Sequence, residues 1–423
     1  MANNIKIKFI QIKQLYLKGF FHIIGSSILN KIMQFCSGIF IVRVLSKEEF
    51  GIFTYAQNLL AFFLLINGLG ISSGFLQYGS RNSDNEDLKN SIARYSLNYG
   101  VKINFLISIL IVIYSVFGNF KVEEARLIFR LMLFFPIIAL VIEMIQIYLR
   151  INLKNKEMAQ ISNLNTFFNL IGMLIGGYIY GVMGLIIGKY IGNLISLFNC
   201  WKYLKNILSK PVLNISQELK KNIIKFSIVV VFNDGISQLL YIIDIFLIGI
   251  IIADKNTIAS YKTATLIPFA LNFIPLSVMT YLYPYIVKNI ENKIVLRKYL
   301  KQLLVYLGGI NLIISVVSIL FSHLIIKIIF GMNYLDSKDI FIILSIGYFI
   351  AGTFRIPFGN MLAAMGKLKC NFYTTLFSGI LNIVLDIIFI KKYGSIGAAI
   401  ATVSIFIFSS ILGGYFIKKN LEV

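Results

Sequence analysis

Acidic side chains are scarce in this chain. It holds 18 Asp and Glu against 40 Lys and Arg in 423 residues. Charged residues of both signs reach only 14%, where a soluble domain carries about 25%. Cys36, Cys200 and Cys370 stand far apart, with neither metal-ligand spacing nor a disulfide framework. The two histidines, His22 and His323, are equally isolated. No metal site and no cofactor is expected. A Walker A sequence is missing, so direct use of ATP is not expected. No Ser-His-Asp or Cys-His pattern stands out, and the chain does not read as an enzyme.

Apolar residues take up the difference, at 58% of the chain. That excludes disorder, which needs low hydrophobicity. The net charge of +22 raises nucleic acid as a partner. A nucleic-acid patch, however, sits on a polar surface, and this chain has little of one. What remains is an all-α polytopic membrane protein whose surroundings are the lipid bilayer. Of the 40 basic residues, 32 are Lys, in a chain also rich in Ile, Asn, Phe and Tyr. Part of that excess reflects AT-rich coding, so the positions of the lysines matter more than their number.

A membrane helix needs about 20 mostly apolar residues. Twelve stretches qualify: 20–42, 52–78, 97–119, 128–149, 158–180, 182–201, 224–252, 258–286, 302–329, 339–365, 371–390 and 394–417. They are continuous runs, not the alternating segments of a β-barrel. The first run is too long for a cleavable signal peptide, and no Ala-x-Ala site follows it. Ahead of it, Ile5, Phe9, Ile10, Ile12 and Leu15 interleave with Lys6, Lys8, Lys13 and Lys18. That pattern predicts a short helix lying on an anionic membrane face. Twelve spans put both termini on one side. On that side fall 25 Lys and Arg, against 9 in the opposite loops and helix ends. The bias makes both termini cytoplasmic.

The longest polar connection, about 203–223, divides the spans six and six. The expected lobes are 1–205, with the N-terminal interfacial helix, and 206–423. They resemble each other. Adding 213 to Lys154, Lys156, Asn169, Gly181 and Gly184 reaches Lys367, Lys369, Asn382, Gly394 and Gly397. Gly51 to Ala56 aligns with Ala259 to Ala264 at an offset of 208. Six spans per copy keep both copies in one orientation. The expectation is two six-helix bundles related by a pseudo-two-fold axis along the membrane normal, a plan used by carriers.

Several stretches carry a resemblance. Arg43-Val-Leu45 through Phe50-Gly51 follows the first span. Asp244, Gly249, Tyr261, Ala264 and Pro284 lie in spans seven and eight. Gly366-Lys367, Asn382, Tyr393-Gly394 through Ala399, and Ala401-Thr402 lie in the last two. Together these resemble the O-antigen and capsule repeat-unit flippases, in the multidrug, oligosaccharidyl-lipid and polysaccharide exporter superfamily. The resemblance covers nearly the whole chain. It implies a MATE-like fold in the bacterial inner membrane. It implies an undecaprenyl-diphosphate-linked glycan as cargo, carried by alternating access coupled to H⁺ or Na⁺. A monomer beside the polysaccharide polymerase machinery is expected.

Charges placed inside a bilayer cost about 2.5–3.5 kcal/mol each, so they face cavities or partners. Lys31 belongs to a stripe with Asn30 and Gln34, and span seven carries Asp234, Gln238, Tyr241 and Asp244 at similar spacing. A diphosphate–sugar headgroup needs cations and hydrogen-bonding groups. Lys31, Lys262 and Arg355 are the candidate cations, and Asn30, Gln34, Asn58, Gln238 and Tyr241 the candidate sugar contacts. The competing readings are a carboxylate partner for Lys31 and snorkelling for Lys262. Asp234, Asp244, Glu143 and Asp386 are candidates for ion coupling, or for structural ion pairs. Pro268, Pro275 and Pro284 would bend span eight, for gating or as a static kink. Two other functions compete: a cation-coupled multidrug exporter of the same superfamily, and a membrane-embedded polysaccharide polymerase, which would need a sizeable external loop. A flippase for a peptidoglycan or teichoic-acid precursor is nearer, because the motifs do not identify the sugar.

Overall fold

A computed structural model describes residues 20–82, 84–209 and 213–421. The expected interfacial helix over residues 5–18 lies outside them. In chain order the α-helices are α1 (Phe20–Val44), α2 (Lys47–Leu64), α3 (Ile71–Arg81), α4 (Glu86–Phe117), α5 (Ala125–Leu131), α6 (Phe135–Ile151), α7 (Asn155–Ser209), α8 (Gln217–Ile251), α9 (Lys255–Leu271), α10 (Phe273–Lys288), α11 (Lys293–Leu320), α12 (Ser322–Ile329), α13 (Lys338–Ile350), α14 (Ile356–Ala364) and α15 (Leu368–Leu421). Among the described residues, nine helical stretches are long and apolar enough to cross a membrane. Their outer faces are greasy. On α4, Phe105, Leu106, Ile109, Leu110, Val112, Ile113 and Val116 are all exposed. A run of that kind belongs in lipid.

Nine stretches hold most of the twelve expected spans because two of them are double. α7 has 55 residues and α15 has 54. At 1.5 Å per residue each would reach about 80 Å, far beyond a hydrocarbon core of about 30 Å. Each is broken by a glycine with positive φ, Gly181 (φ 55, ψ −138) in α7 and Gly394 (φ 62, ψ −144) in α15. The two arms of α7 then return along each other. A Cβ on Gly172 would strike the Gly188 carbonyl, and one on Gly176 the Gly184 carbonyl. Backbones approach this closely only where both sides lack side chains. In α15 a Cβ on Gly397 would strike the Phe389 carbonyl. Expected spans five and six are therefore the α7 hairpin, and eleven and twelve the α15 hairpin. Expected span seven lies in α8, of which Tyr241–Ile251 forms a shorter apolar helix.

Spans two and eight, repeat mates by sequence, are both interrupted. α2 and α3 are separated by a 3₁₀ turn at Asn67–Gly70, where Gly68, Leu69 and Gly70 all have positive φ. α9 and α10 are separated at Asn272. Pro275 lacks the N–H that would bond to Leu271, so the ladder fails there. Pro268 and Pro275 are both buried beside this break. The Pro284 side chain lies outside the described set. Span ten contains a π-helical turn at Ala351–Arg355. Its cause is Pro357, which cannot donate to the Thr353 carbonyl.

The chain forms two compact units. The first is Met1–Leu45, Leu59–Phe120 and Glu124–Gly235; the second is Ser46–Asn58, Lys121–Glu123 and Ile236–Val423. The core of the first joins Ile71, Phe75, Leu97, Leu140 and Met144. That of the second joins Met279, Leu303, Phe358, Met361 and Ile417.

Candidate functional site

Two polar features lie inside the second unit, where burial in an apolar protein makes polar groups costly unless they are paired. The first is built on Asp244 of α8, which is 3% exposed. Its Oδ2 accepts hydrogen bonds from the Tyr261 hydroxyl of α9 at 2.5 Å and from Thr402 Oγ1 of α15 at 2.6 Å. Asp386, on the other arm of α15 and fully buried, accepts from Asn382 Nδ2 at 3.0 Å. The Asp244 and Asp386 carboxyls are close enough to interact electrostatically, and the Oδ1 atom of each is buried without a hydrogen-bond partner among the described residues. Three helical elements thus converge on one pair of acids. The α15 hairpin makes this possible, since its turn at Gly394 brings Asp386 and Thr402 back to the same depth.

The second feature is a cavity of about 300 Å³ lined by α8, α10, α14, α15 and the π turn. Arg355, at the end of that turn, enters it. Its guanidinium carbon lies 4.9 Å from the Phe406 ring centroid and 5.9 Å from that of Tyr241. Asn360, Asn371, Thr374, Thr375, Ser378 and Ser409 supply the polar lining, and no carboxylate is among the lining residues. A neighbouring cavity shares Phe358 and is lined by Arg297, Leu300, Ile417, Lys418 and Leu421.

The other sequence candidates are scattered. Lys31 and Gln34 on α1 are exposed. Asn30 is half-buried and donates to Ser162 Oγ at 2.8 Å, so it ties α1 to α7. Asn58 is buried, with Nδ2 donating to the Ile242 carbonyl at 2.9 Å. Lys262 is half-buried on α9. Asp234 and Gln238 on α8 are exposed. Glu143 belongs to the first unit, where Asn67 Nδ2 donates to it at 3.4 Å beside the break between α2 and α3. It does not join the Asp244 pair. Of the four acids singled out in the sequence, the structure unites two.

Sequence reasoning passed over the cavity's amides and hydroxyls. A signal existed: Asn371, Thr374, Thr375 and Ser378 recur at helical spacing within an apolar run. In the sequence Tyr261, Asn382 and Thr402 stand out only as family or repeat markers. Their meeting at Asp244 depends on helix packing that no local pattern encodes.

Outside the spans, Asp254 caps α9. Its Oδ2 accepts from Thr257 N at 2.8 Å and from Thr257 Oγ1 at 2.6 Å. Partial burial alone would raise its carboxyl, but the Thr257 hydroxyl, the Thr257 and Asn256 amides and the Lys47 charge together hold it below its ordinary value. On the same side of this unit, Lys47 Nζ pairs with Asp336 Oδ2 at 2.6 Å, and Ser260 Oγ donates to the same oxygen at 2.7 Å.

Known proteins share this architecture. A solved structure described as "Lipid II flippase MurJ, inward closed conformation" superposes with a TM-score of 0.77 at 19% identity, over 94% of this chain and 88% of that one. An inward-facing multidrug resistance MATE family transporter of the MOP superfamily gives 0.74 at 16% identity, over 93% and 94%. At such identities the likeness is one of fold. In sequence, a protein of Shigella flexneri described as "Putative O-antigen transporter" is 23% identical over 379 residues, 86% of this chain and 88% of that protein. The family model described as "Polysaccharide biosynthesis protein" matches residues 16–290, well over half of the chain. With its helical membrane fold and its motifs in agreement, this multi-pass membrane protein belongs to the polysaccharide biosynthesis protein family.

Proposed function

We propose that this protein is a flippase that moves an undecaprenyl-diphosphate-linked oligosaccharide from the inner to the outer leaflet of a bacterial cytoplasmic membrane, for surface polysaccharide synthesis. The observation that carries this reading is the Arg355 cavity: one cation and a set of amides and hydroxyls, enclosed by helices whose outer faces are apolar. Such a lining suits a polar, anionic headgroup drawn through a greasy membrane. The names of the relatives agree with it. One is called a transporter of O-antigen, a polysaccharide, and the solved neighbour a flippase of lipid II, a lipid-linked saccharide. Family and neighbours are transporters, not enzymes.

The finer reading has twelve crossings in two six-helix lobes, 1–205 and 206–423, with both termini cytoplasmic and transport by alternating access. The two hairpins and the full length of α8 support that number. Asp244 and Asp386 are the coupling site. Two buried carboxyls in contact need a proton or a cation between them, and either H⁺ or Na⁺ satisfies that need. Lys31, Lys262 and Arg355 meet the diphosphate, while Asn30, Gln34, Asn58, Gln238 and Tyr241 meet sugar hydroxyls. Pro268, Pro275 and Pro284 give span eight its bend for gating. The protein acts as a monomer beside the polymerase machinery. Deleting its gene tests the central reading. Surface polysaccharide should disappear while lipid-linked repeat units accumulate inside, and a plasmid copy should restore export. Unchanged export in a strain without a second copy would sink it.

A further inference from the structure

The second cavity of this unit has a different chemistry from the Arg355 cavity. Its volume is about 430 Å³, it lies between α11, α14 and the end of α15, and it shares only Phe358 with the other. Arg297 and Lys418 supply its two charges. Leu300, Phe358, Ile417 and Leu421 form an apolar wall, and no other lining residue has a polar side chain. Sugar hydroxyls buried against that wall would lose their hydrogen bonds to water and gain none, so the cavity does not suit a saccharide.

Its place along the helices sets its depth. Arg297 lies in the first turns of α11, and Lys418 in the last turn of α15. At about 1.5 Å per residue both are within ~6 Å of a helix end, level with lipid headgroups. Arg297 Nη2 donates to the Leu421 carbonyl at 2.6 Å, which ties the two helices together and fixes the guanidinium beside the cavity. Val305 follows Arg297 by two helical turns, and Ile411 precedes Lys418 by two, each on the same helical face as its cation. Both are exposed. Each cation is thus followed, toward the membrane centre, by an open apolar surface. The flanking charge has the same sign. Lys288, Lys293, Lys298 and Lys301 stand against Glu291 on one side, and Lys419 against Glu422 on the other. In the proposed topology this end is cytoplasmic, where anionic lipids make the leaflet surface negative.

This arrangement selects its occupant. Cations at the headgroup level above an apolar groove match a molecule with an anionic head and hydrocarbon below it. Orthophosphate satisfies the cations and leaves the wall uncovered. A zwitterionic phospholipid covers the wall but carries its own cation beside the phosphate. A glycan-loaded carrier lipid would bring sugars that the wall cannot pair. An anionic diacyl phospholipid satisfies both parts, with its phosphate on the guanidinium edge and its chains along the wall.

We propose that this cavity is a binding site for an anionic phospholipid of the inner leaflet, with Arg297 and Lys418 on the phosphate and Leu300, Phe358, Ile417 and Leu421 against an acyl chain. The site is separate from the cargo cavity, and the proposal stands whether or not the protein is a flippase. The test is native mass spectrometry of the full-length protein in an uncharged detergent, reading the first bound lipid. The probes are dioleoyl-phosphatidylglycerol, dioleoyl-phosphatidylcholine, undecaprenyl phosphate and orthophosphate. A basic residue near an anionic headgroup contributes about five-fold in binding, so two should give phosphatidylglycerol a preference of about 25-fold over phosphatidylcholine. Arg297→Gln and Lys418→Gln should each reduce it to about five-fold, and the double variant should abolish it. Lys418→Gln leaves the bond from Arg297 to the Leu421 carbonyl in place, so its effect is not one of lost fold. The control is the double variant Lys298→Gln and Lys419→Gln. It removes the same charge one residue along each helix, where neither side chain lines the cavity, and should keep the full preference. An equal loss in the two double variants would mean a general basic surface and overturn the proposal. So would equal binding of the two phospholipids, displacement of phosphatidylglycerol by an equal concentration of orthophosphate, or tighter binding of undecaprenyl phosphate, which would assign the cavity to the carrier lipid.

Discussion

Gly181 and Gly394 stand 213 residues apart and adopt almost the same backbone, φ 55 and ψ −138 against φ 62 and ψ −144. Each is the hinge of a helical hairpin. The repeat seen in the sequence is thus a repeat of a conformation that only glycine adopts without strain.

Gly181→Ala and Gly394→Ala should each destabilise the protein by about 1–3 kcal/mol, the usual cost of a side chain in such a backbone. Thermal unfolding of the purified protein in detergent measures this. Alanine at Gly235, an ordinary helical glycine with open space around its Cβ position, is the control and should not destabilise. Equal stability of all three variants would refute the hinge argument.

Asp386→Asn keeps the shape of the buried pair and removes a titratable group. Coupled transport should fall at least ten-fold at an unchanged protein level, with little remaining response to pH or Na⁺. Thr402→Val, which removes one donor to Asp244, should have a smaller effect in the same direction. Restoration of a polysaccharide-deficient strain measures both variants. Full export by Asp386→Asn would rule the pair out as the coupling site.

Lys31 is exposed on α1. If it meets the cargo diphosphate, Lys31→Ala should lower export at least ten-fold without changing the amount of protein in the membrane, and Lys31→Arg should restore part of it. A purely topological lysine would show neither effect.

The Lys47–Asp336 pair is short, but the Asp336 side chain is about half exposed. Exposed ion pairs contribute about 0.2–1 kcal/mol. A double-mutant cycle with Lys47→Met and Asp336→Asn should return a coupling in that range, shrinking at 1 M salt. A value above 2 kcal/mol would mean that Ser260 and the Asn333 carbonyl, which share the same groups, act with the pair as one network.

Asp254 gives a pH signature. Its carboxyl is held below its ordinary value, so the ionised form is the one the fold favours. The contribution is complete above the unfolded value of about 3.9 and is lost as pH falls through the lower, folded value. Asp254→Ala should cost about 1 kcal/mol at pH 7, as for other N-caps, and the gap to the parent should narrow as pH falls below about 4. A gap that stays constant to pH 3 would contradict the assignment.

The sequence alone determined the membrane class, and it marked out apolar runs and an internal repeat as the expected crossing segments and lobes. These depend on hydrophobic run length and on residue spacing, which are local quantities. It singled out Arg355, Asp244 and Asp386, because any charge inside an apolar run is conspicuous. Only the tertiary structure decided which of them meet. Asp244, Tyr261 and Thr402 come from three elements, and Glu143 carries the same charge in the other unit. Asn30 reads from its spacing as a cavity residue, and the packing shows that its amide also holds Ser162 of α7. A polar stripe says that a helix face needs partners, but whether they are another helix or a guest depends on the packing. The hydroxyl of Ser378 shows the same limit. Its residue type is unremarkable in sequence, and only the helices around it leave it without a partner at the wall of a cavity.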